Sequence, residues 1–301
     1  MKVAVVVPAF NEGKIIQRTL RALRGQVPRF AEAGLELNLW LVDDGSTDDT
    51  AQQAQEGGVD RVITHRRNQG LGAAVRSGFK AARQAGMDIL IKFDADLQHD
   101  PDDLLPLLQP ILRGEADVVY GNRFPRITYR MPLVRKAGNI VFTGLMRWLT
   151  GWPLEDGQPG LLAVNRAYLQ CFYLPGDYNY TQQVLMDAYR KGMSFAHVPV
   201  AFHPRTTGKS FISFRYPFKV LPQIFMVLIA VRPLKVFAPI GLLFFLLGAT
   251  LFTVEFFQWL LGDAPKPVNH VNLVLGLTLF GLQTLFFGVL AHLIVEFKNR
   301  E

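Results

Sequence analysis

Residues 92–100 read Lys92-Phe93-Asp94-Ala95-Asp96-Leu97-Gln98-His99-Asp100. Two carboxylates at i and i+2, directly after the apolar run Ile89–Phe93, are costly unless they face solvent or a cation. Oxygen ligands of this kind suit Mg²⁺ or Mn²⁺, ions that also take substrate phosphates as ligands. Gln98 can add an amide oxygen to Asp94 and Asp96. Asp-x-Asp pairs are common in loops, and it is the place of this one at a strand end that gives it weight. A second acidic stretch is Asp43-Asp44-Gly45-Ser46-Thr47-Asp48-Asp49-Thr50. Ser46 or Thr47 is expected to cap a helix whose first turn carries Asp48 and Asp49. That leaves Asp43 and Asp44 free to accept hydrogen bonds from a ribose or a base. Pro8-Ala9-Phe10-Asn11-Glu12 is a third strand end that opens onto a helix. Asn68, Gly70 and Gly72 form a loop that allows close backbone approach, a phosphate-loop candidate that carries little by itself. Arg123, Arg205 and Lys209 are the forks and point charge that phosphate recognition requires, although any one of them alone is more often a solvated surface residue.

The elements that must position these groups follow from periodicity. Val3–Val7, Leu37–Val42, Ile89–Phe93 and Val118–Tyr120 are short apolar runs of strand type. Glu12–Leu23 places Ile15, Ile16, Leu20 and Leu23 at helical spacing, and Thr47–Gln55 and Gly72–Ala85 can each form a further helix. Strand alternating with helix implies a parallel, doubly wound sheet. Such sheets bind ligands beyond the carboxyl ends of their strands, which singles out the loops after Val7, Val42 and Phe93.

The C-terminal third differs in kind. Met131–Trp152, with Arg130 just before it, mixes Arg135, Lys136 and Arg147 with aliphatic and aromatic residues, the composition of a membrane-surface helix; a helix packed on the sheet with a basic outer face is the alternative. Residues 211–235 repeat the pattern. Val236–Leu261 and Val271–Phe297 each exceed the ~20 apolar residues that span a bilayer. Gly262, Pro265 and Pro267 link them into a hairpin, with Glu255, Gln258 and Trp259 near its far end. A soluble helical hairpin is the alternative. Arg232 and Lys235 precede the hairpin and Lys298 and Arg300 follow it, so both ends are expected on the cytoplasmic side. Val3–Val7 is too short for a signal sequence and Pro8, Asn11 and Glu12 follow at once; the first domain is expected to stay where it is made. The net charge of +7 over 301 residues suits anionic lipid heads or a phosphate-rich substrate. Nucleic acid is disfavoured, because the basic residues lie beside apolar segments. Cys171 is the single cysteine, which excludes an intrachain disulfide and a cysteine-rich metal site.

Taken together, PAFNE at 8–12, DDGSTDDT at 43–50, NQGLGAAVRSG at 68–78 and DADLQHDP at 94–101 resemble glycosyltransferase family 2. In order and spacing they are similar to its dolichol-phosphate mannosyltransferase and polyisoprenyl-phosphate glucosyltransferase branch, over about residues 1–215. The resemblance implies a GT-A-like α/β domain with a mostly parallel sheet at 1–210, an interfacial segment at 211–235 and two membrane helices within 236–297. It implies that Pro8, Ala9, Asn11, Glu12 and Asp44 line the nucleoside pocket, that Ala95 lies against the donor, and that Asp94, Asp96 and Gln98 hold Mg²⁺ or Mn²⁺. Gly121-Asn122-Arg123, Asp156-Gly157-Gln158-Pro159-Gly160 and His203–Ser210 resemble further family segments. By that resemblance Arg205 and Lys209 serve the donor diphosphate and Arg123 a phosphate; Arg135 and Ser210 join Arg123 as candidates for the acceptor phosphate. Asp96, Arg123 and Arg205 are then the residues closest to the chemistry. The implied reaction is inverting transfer of a hexose, glucose or mannose, from a nucleotide-diphosphate sugar such as UDP-glucose or GDP-mannose to undecaprenyl or dolichyl phosphate. Transfer to a sugar hydroxyl is one alternative, and a non-catalytic membrane-bound nucleotide-sugar-binding subunit another. Homo-oligomerisation is left open. One departure stands out: Gln183 occupies a position where many relatives have Glu. A lipid phosphate has a second pKa near ~6 and arrives ionised, so that reaction needs no general base there. The Gln-x-x-Arg-Trp motif of processive synthases is missing.

Overall fold

The computed structural model describes residues 1–126, 133–175, 180–204 and 233–298, apart from the side chains of 133–137, 141 and 298. It divides into two compact units, Met1–Lys209 and Ser210–Glu301. The first is built on a seven-stranded sheet: β1 (Lys2–Ala9), β2 (Glu36–Asp43), β3 (Arg61–Thr64), β4 (Ile89–Lys92), β5 (Val118–Asn122), β6 (Leu162–Asn165) and β7 (Phe195–Pro199), in the order β3-β2-β1-β4-β6-β5-β7. All neighbouring pairs are parallel except those of β6, which runs antiparallel to both β4 and β5. The sheet is mostly parallel, as expected, and β6 is the exception: it runs the opposite way and returns the loop at 156–160 to the carboxyl end of β4.

β1 is central, and Val3, Ala4, Val5, Val6 and Val7 are all fully buried. Its uninterrupted apolar run is what a strand covered on both faces needs. Val3, Val5 and Val7 pack with Ile16, Leu20 and Leu23 of helix α1 (Gly13–Arg24). On the other face, a Cβ on Gly78 of helix α4 (Leu71–Gln84) would overlap Val6, so glycine sets how closely α4 lies on the sheet. α2 (Val27–Glu32), α3 (Thr50–Glu56), α5 (Leu104–Leu112), α6 (Leu133–Thr150), α7 (Arg166–Cys171) and α8 (Tyr180–Arg190) complete the unit. In register, Val6 faces both Trp40 of β2 and Lys92 of β4, and Ala9 faces Asp43. The three loops flagged by their residues therefore leave the same edge of the sheet.

The second unit contains α9 (Pro233–Leu260) and α10 (Val271–Lys298), both long and apolar enough to cross a bilayer, with little of either buried within the chain. They approach closely through glycine. A Cβ on Gly241 would meet the Gly281 carbonyl at 2.8 Å, and one on Gly288 would meet Phe237 Cβ at 2.7 Å. Small residues at such crossings let the two backbones pack where no hydrophobic effect drives them together. Phe244 and Phe280 meet edge to face at 4.8 Å. Glu255, near the far end of the hairpin, is 4% exposed. It accepts hydrogen bonds from Asn269 N (2.8 Å) and His270 N (3.1 Å) and pairs with His270 Nδ1 at 2.5 Å, satisfying donors at the start of α10 that a helix cannot satisfy itself.

Candidate active site

The loop after β2 is closed on itself. Asp43 is 3% exposed and accepts from Ser46 N at 3.0 Å. Asp44, also 3% exposed, accepts from Gln69 N (2.9 Å) and Gly70 N (2.8 Å) and pairs with His65 Nδ1 at 2.7 Å. His65 Nε2 lies 2.8 Å from Ser77 Oγ, so one carboxylate ties together the ends of β2 and β3, the Asn68–Gly70 loop and α4. The expectation that Asp43 and Asp44 are free is thus corrected: backbone amides claim them. Asp44 uses three of about four acceptor sites, which leaves it capacity for one further donor. The phosphate-loop reading of Asn68–Gly72 is corrected by the same contacts, because Asp44 already occupies the anion position before the first turn of α4. Gly70 has φ 94°, which suits glycine.

The cap of α3 also differs from expectation. The helix starts at Thr50, and Asp48 and Asp49 precede it. Asp48 accepts from Thr50 N at 3.1 Å and from Gly13 N at 3.1 Å, bridging the first turns of α3 and α1. Burial raises the Asp48 pKa, but these hydrogen bonds and that of the Thr50 hydroxyl together outweigh it and hold the carboxyl below its ordinary value. Asn11, at φ 55°, donates its N–H to Ser46 Oγ (3.0 Å) and accepts from Thr47 N (2.9 Å) through Oδ1. Glu12 N donates to Thr50 Oγ1 at 2.9 Å. Pro8, Ala9, Asn11 and Glu12 thus form one wall with the 43–50 turn.

The loop after β4 is organised differently. Lys92, the last residue of β4, is 1% exposed. It pairs with Asp94 Oδ1 and donates to the Gly160 carbonyl at 2.8 Å. Burial disfavours its charge, but Asp94 and Tyr180, whose ring centroid is 5.2 Å away, outweigh burial and raise its pKa. Leu97 takes φ 53° and reverses the chain between Asp96 and Gln98, while Ala95 is buried. Gln98 N donates to Asp96 Oδ1 at 3.2 Å. Gln98 Nε2 donates to the His203 carbonyl at 3.1 Å, which assigns the amide nitrogen to the protein and turns the amide oxygen the other way. A Cβ on Gly160 would overlap both Asp94 Oδ2 and His99 Nε2. His99 is buried with neither ring nitrogen hydrogen-bonded; burial, against the pull of Asp94 and aided by Lys92 and Arg123, lowers its pKa to about 4 and keeps it neutral. Among the described residues no three His, Cys, Asp or Glu side chains form a closed metal cage. Two carboxylates and an amide oxygen are the open, hard donor set of a cation that shares its coordination with phosphates, and the fixed Gln98 amide fits that role.

Arg123 is corrected. It is 5% exposed and its fork closes on Asp156, Nε to Oδ2 at 2.7 Å and Nη2 to Oδ1 at 3.0 Å. A guanidinium spent on a buried carboxylate does not present itself to a phosphate. Burial would raise the Asp156 pKa, but Arg123 and the hydrogen bonds from Gln158 and Asn139 outweigh it and hold it below the usual carboxylate range. Arg135 stands in α6, four residues before Asn139; its side chain lies outside the described residues, as do Arg205, Lys209 and Ser210. Sequence reasoning left Lys92, His65, Asn139 and Thr143 without roles. Only Lys92 carried a signal, since a lysine inside an apolar strand must have a partner.

The glycosyl transferase family 2 model matches residues 4–172 and the GtrB C-terminal hairpin model matches residues 232–296. UDP-N-acetylglucosamine–dolichyl-phosphate N-acetylglucosaminyltransferase of Methanococcus voltae is 30% identical over 217 residues, covering 65% of this chain and 83% of that protein. Undecaprenyl-phosphate mannosyltransferase of Micrococcus luteus is 28% identical over 225 residues, covering 71% and 88%. Among solved structures, glucosyl-3-phosphoglycerate synthase of Mycobacterium tuberculosis, in complex with Mn²⁺, UDP-glucose and phosphoglyceric acid, superposes with a TM-score of 0.58 at 22% identity, covering 75% of this chain and 78% of the other. That is a likeness of fold.

Proposed function

The chain belongs to glycosyltransferase family 2, and on that premise we propose that it moves a hexose from a nucleotide-diphosphate sugar to a polyisoprenyl phosphate. The observation that carries the reading is the oxygen-rich turn Asp94–Gln98 at the carboxyl end of β4, in a chain that also carries two bilayer-length helices. The two relatives named for dolichyl-phosphate and undecaprenyl-phosphate transfer support the acceptor class. Residues 1–210 act as the catalytic domain, 211–235 as an interfacial segment and 236–297 as the anchor, with both termini and the catalytic domain cytoplasmic.

Pro8, Ala9, Asn11, Glu12 and Asp44 receive the nucleoside, Asp44 through its remaining acceptor site. Asp94, Asp96 and Gln98 hold Mg²⁺ or Mn²⁺, which when bound neutralises charge on the departing diphosphate. Lys92 steadies Asp94 through its ion pair with Oδ1. Arg205 and Lys209 serve the diphosphate, and Arg135 and Ser210 the acceptor phosphate. An oxygen of the lipid phosphate attacks the anomeric carbon as the bond from that carbon to the diphosphate breaks. One sugar–oxygen bond replaces another, with inversion, and no proton has to be removed from the nucleophile.

The test is a panel of radiolabelled nucleotide sugars incubated with membranes and polyprenyl phosphate, followed by lipid extraction. Label in the lipid phase, dependent on added prenyl phosphate, is expected. Label that appears only on water-soluble glycan would replace the acceptor, and no turnover of any donor would favour a binding subunit.

A further inference from the structure

Helix α6 has two unlike faces. Asn139, Phe142, Thr143, Met146 and Leu149 are buried, whereas Ile140 and Trp148 on the other side are 59% and 50% exposed. On the buried face two polar side chains sit among apolar ones, and they are not idle. Asn139 Nδ2 donates to Asp156 Oδ1 at 3.2 Å. Thr143 Oγ1 donates to Asn139 Oδ1 at 2.7 Å and accepts from Gly157 N at 3.1 Å. Asp156, fully buried, is the hub, since it also receives the Arg123 fork and Gln158 N at 3.0 Å. The same loop then delivers the Gly160 carbonyl to Lys92, which holds Asp94, and sets the Gly160 Cα against Asp94 Oδ2. Every link is a hydrogen bond or a contact with no room for a methyl group, and Arg147 Nε adds a further bond from α6 to the Leu154 carbonyl at 3.0 Å. Fully satisfied buried networks of this kind rigidify what they join.

We propose that Asn139, Thr143 and Asp156 are positioning residues that couple the placement of α6 to the Asp94 carboxylate through the loop at 154–160, so that engagement of the lipid phosphate on α6 strengthens binding of the cation and nucleotide. The inference rests on the reading above, in which Arg135 of α6 serves the acceptor phosphate. Such coupling is reciprocal: acceptor tightens donor by the factor with which donor tightens acceptor.

The experiment uses the full chain in detergent with Mn²⁺ and UDP, and in parallel Mn²⁺ and GDP, as probes that cannot turn over. Binding is followed by calorimetry and by the spin resonance of free Mn²⁺, with and without undecaprenyl phosphate. In the wild type the lipid should tighten Mn²⁺–nucleotide binding about fivefold or more. Thr143→Val should bring that factor close to one, and Thr143→Ser should restore it. Gly157→Ala, which leaves every side chain of the network in place but crowds Thr143, guards against a Thr143→Val protein that fails to fold, and should also lower the factor. Asp96→Asn should lose Mn²⁺ binding altogether. If Asp96→Asn binds Mn²⁺ as the wild type does, the metal reading falls and takes the coupling with it. If Asp96→Asn loses Mn²⁺ but the lipid factor is near one in the wild type, or is unchanged in Thr143→Val and Gly157→Ala, the coupling alone is wrong.

Discussion

Two acidic loops leave the same edge of one sheet and meet different fates. The end of β2 and the loop after it contain Asp43, Asp44, Asp48 and Asp49, and the loop after β4 contains Asp94, Asp96 and Asp100. In the first, Asp43, Asp44 and Asp48 between them accept from the backbone amides of Ser46, Gln69, Gly70, Gly13 and Thr50. In the second, Asp96 accepts from Gln98 N at the longer distance of 3.2 Å, and Asp94 leans on a lysine side chain. A carboxylate saturated by amides builds structure, while one steadied from behind by a side chain keeps an oxygen for a ligand. The number of acids in a loop therefore says less about its function than the number of backbone donors that reach them.

The sharpest way to break this comparison is Asp96→Asn. An amide binds a hard cation more weakly than a carboxylate, and cation stabilisation of a leaving group is worth several kcal/mol, so turnover should fall about 10³-fold or more with little change in urea stability. Wild-type turnover in saturating Mg²⁺ or Mn²⁺ would mean that the β4 loop is as structural as the β2 loop. Chelation makes the same distinction without mutation. EDTA should stop turnover reversibly and leave the melting curve of the protein unshifted; a collapse of the melting temperature would make the cation a structural one.

Asp94→Asn should show both kinds of damage. Besides losing turnover, it strands a buried ammonium, which costs about 3–5 kcal/mol and should appear as a lowered urea midpoint. A variant as stable as wild type would show that Lys92 does not depend on Asp94. Asp44→Asn tests the opposite loop. Losing a charged acceptor that holds two amides and His65 should cost about 2 kcal/mol of stability and raise the donor KM, with kcat changed far less than in Asp96→Asn. Unchanged stability would remove its role as the tie between β2, β3 and α4.

The smallest effect is expected at Gln183, which asks whether chemistry resides outside the β4 loop at all. With an ionised phosphate as nucleophile, Gln183→Ala should lower kcat less than about tenfold, where loss of a general base costs ~10²–10⁴-fold. The acidic limb of the pH profile should follow the lipid phosphate, near pH ~6, in both proteins. A collapse of kcat with donor binding intact would revive a hydroxyl acceptor.

The amino-acid order alone determined the strands β1, β2, β4 and β5, the helices α1 and α4, the long hairpin and the three loops that matter, because these depend on local periodicity and on lengths that a short window of residues contains. Val3–Val7 is buried wherever its neighbours come from, and a run of ~20 apolar residues can span a bilayer without help from elsewhere in the chain. The fates of the charged side chains were decided only by the tertiary structure. Asp44 meets Gln69 and Gly70 across 25 and 26 residues, and Arg123 meets Asp156 across 33. The antiparallel entry of β6, which no local pattern announces, brings Gly160 to Lys92 across 68 residues. Whether an acid is spent or available depends on which donors the fold carries to it, and those donors come from segments far away in the chain.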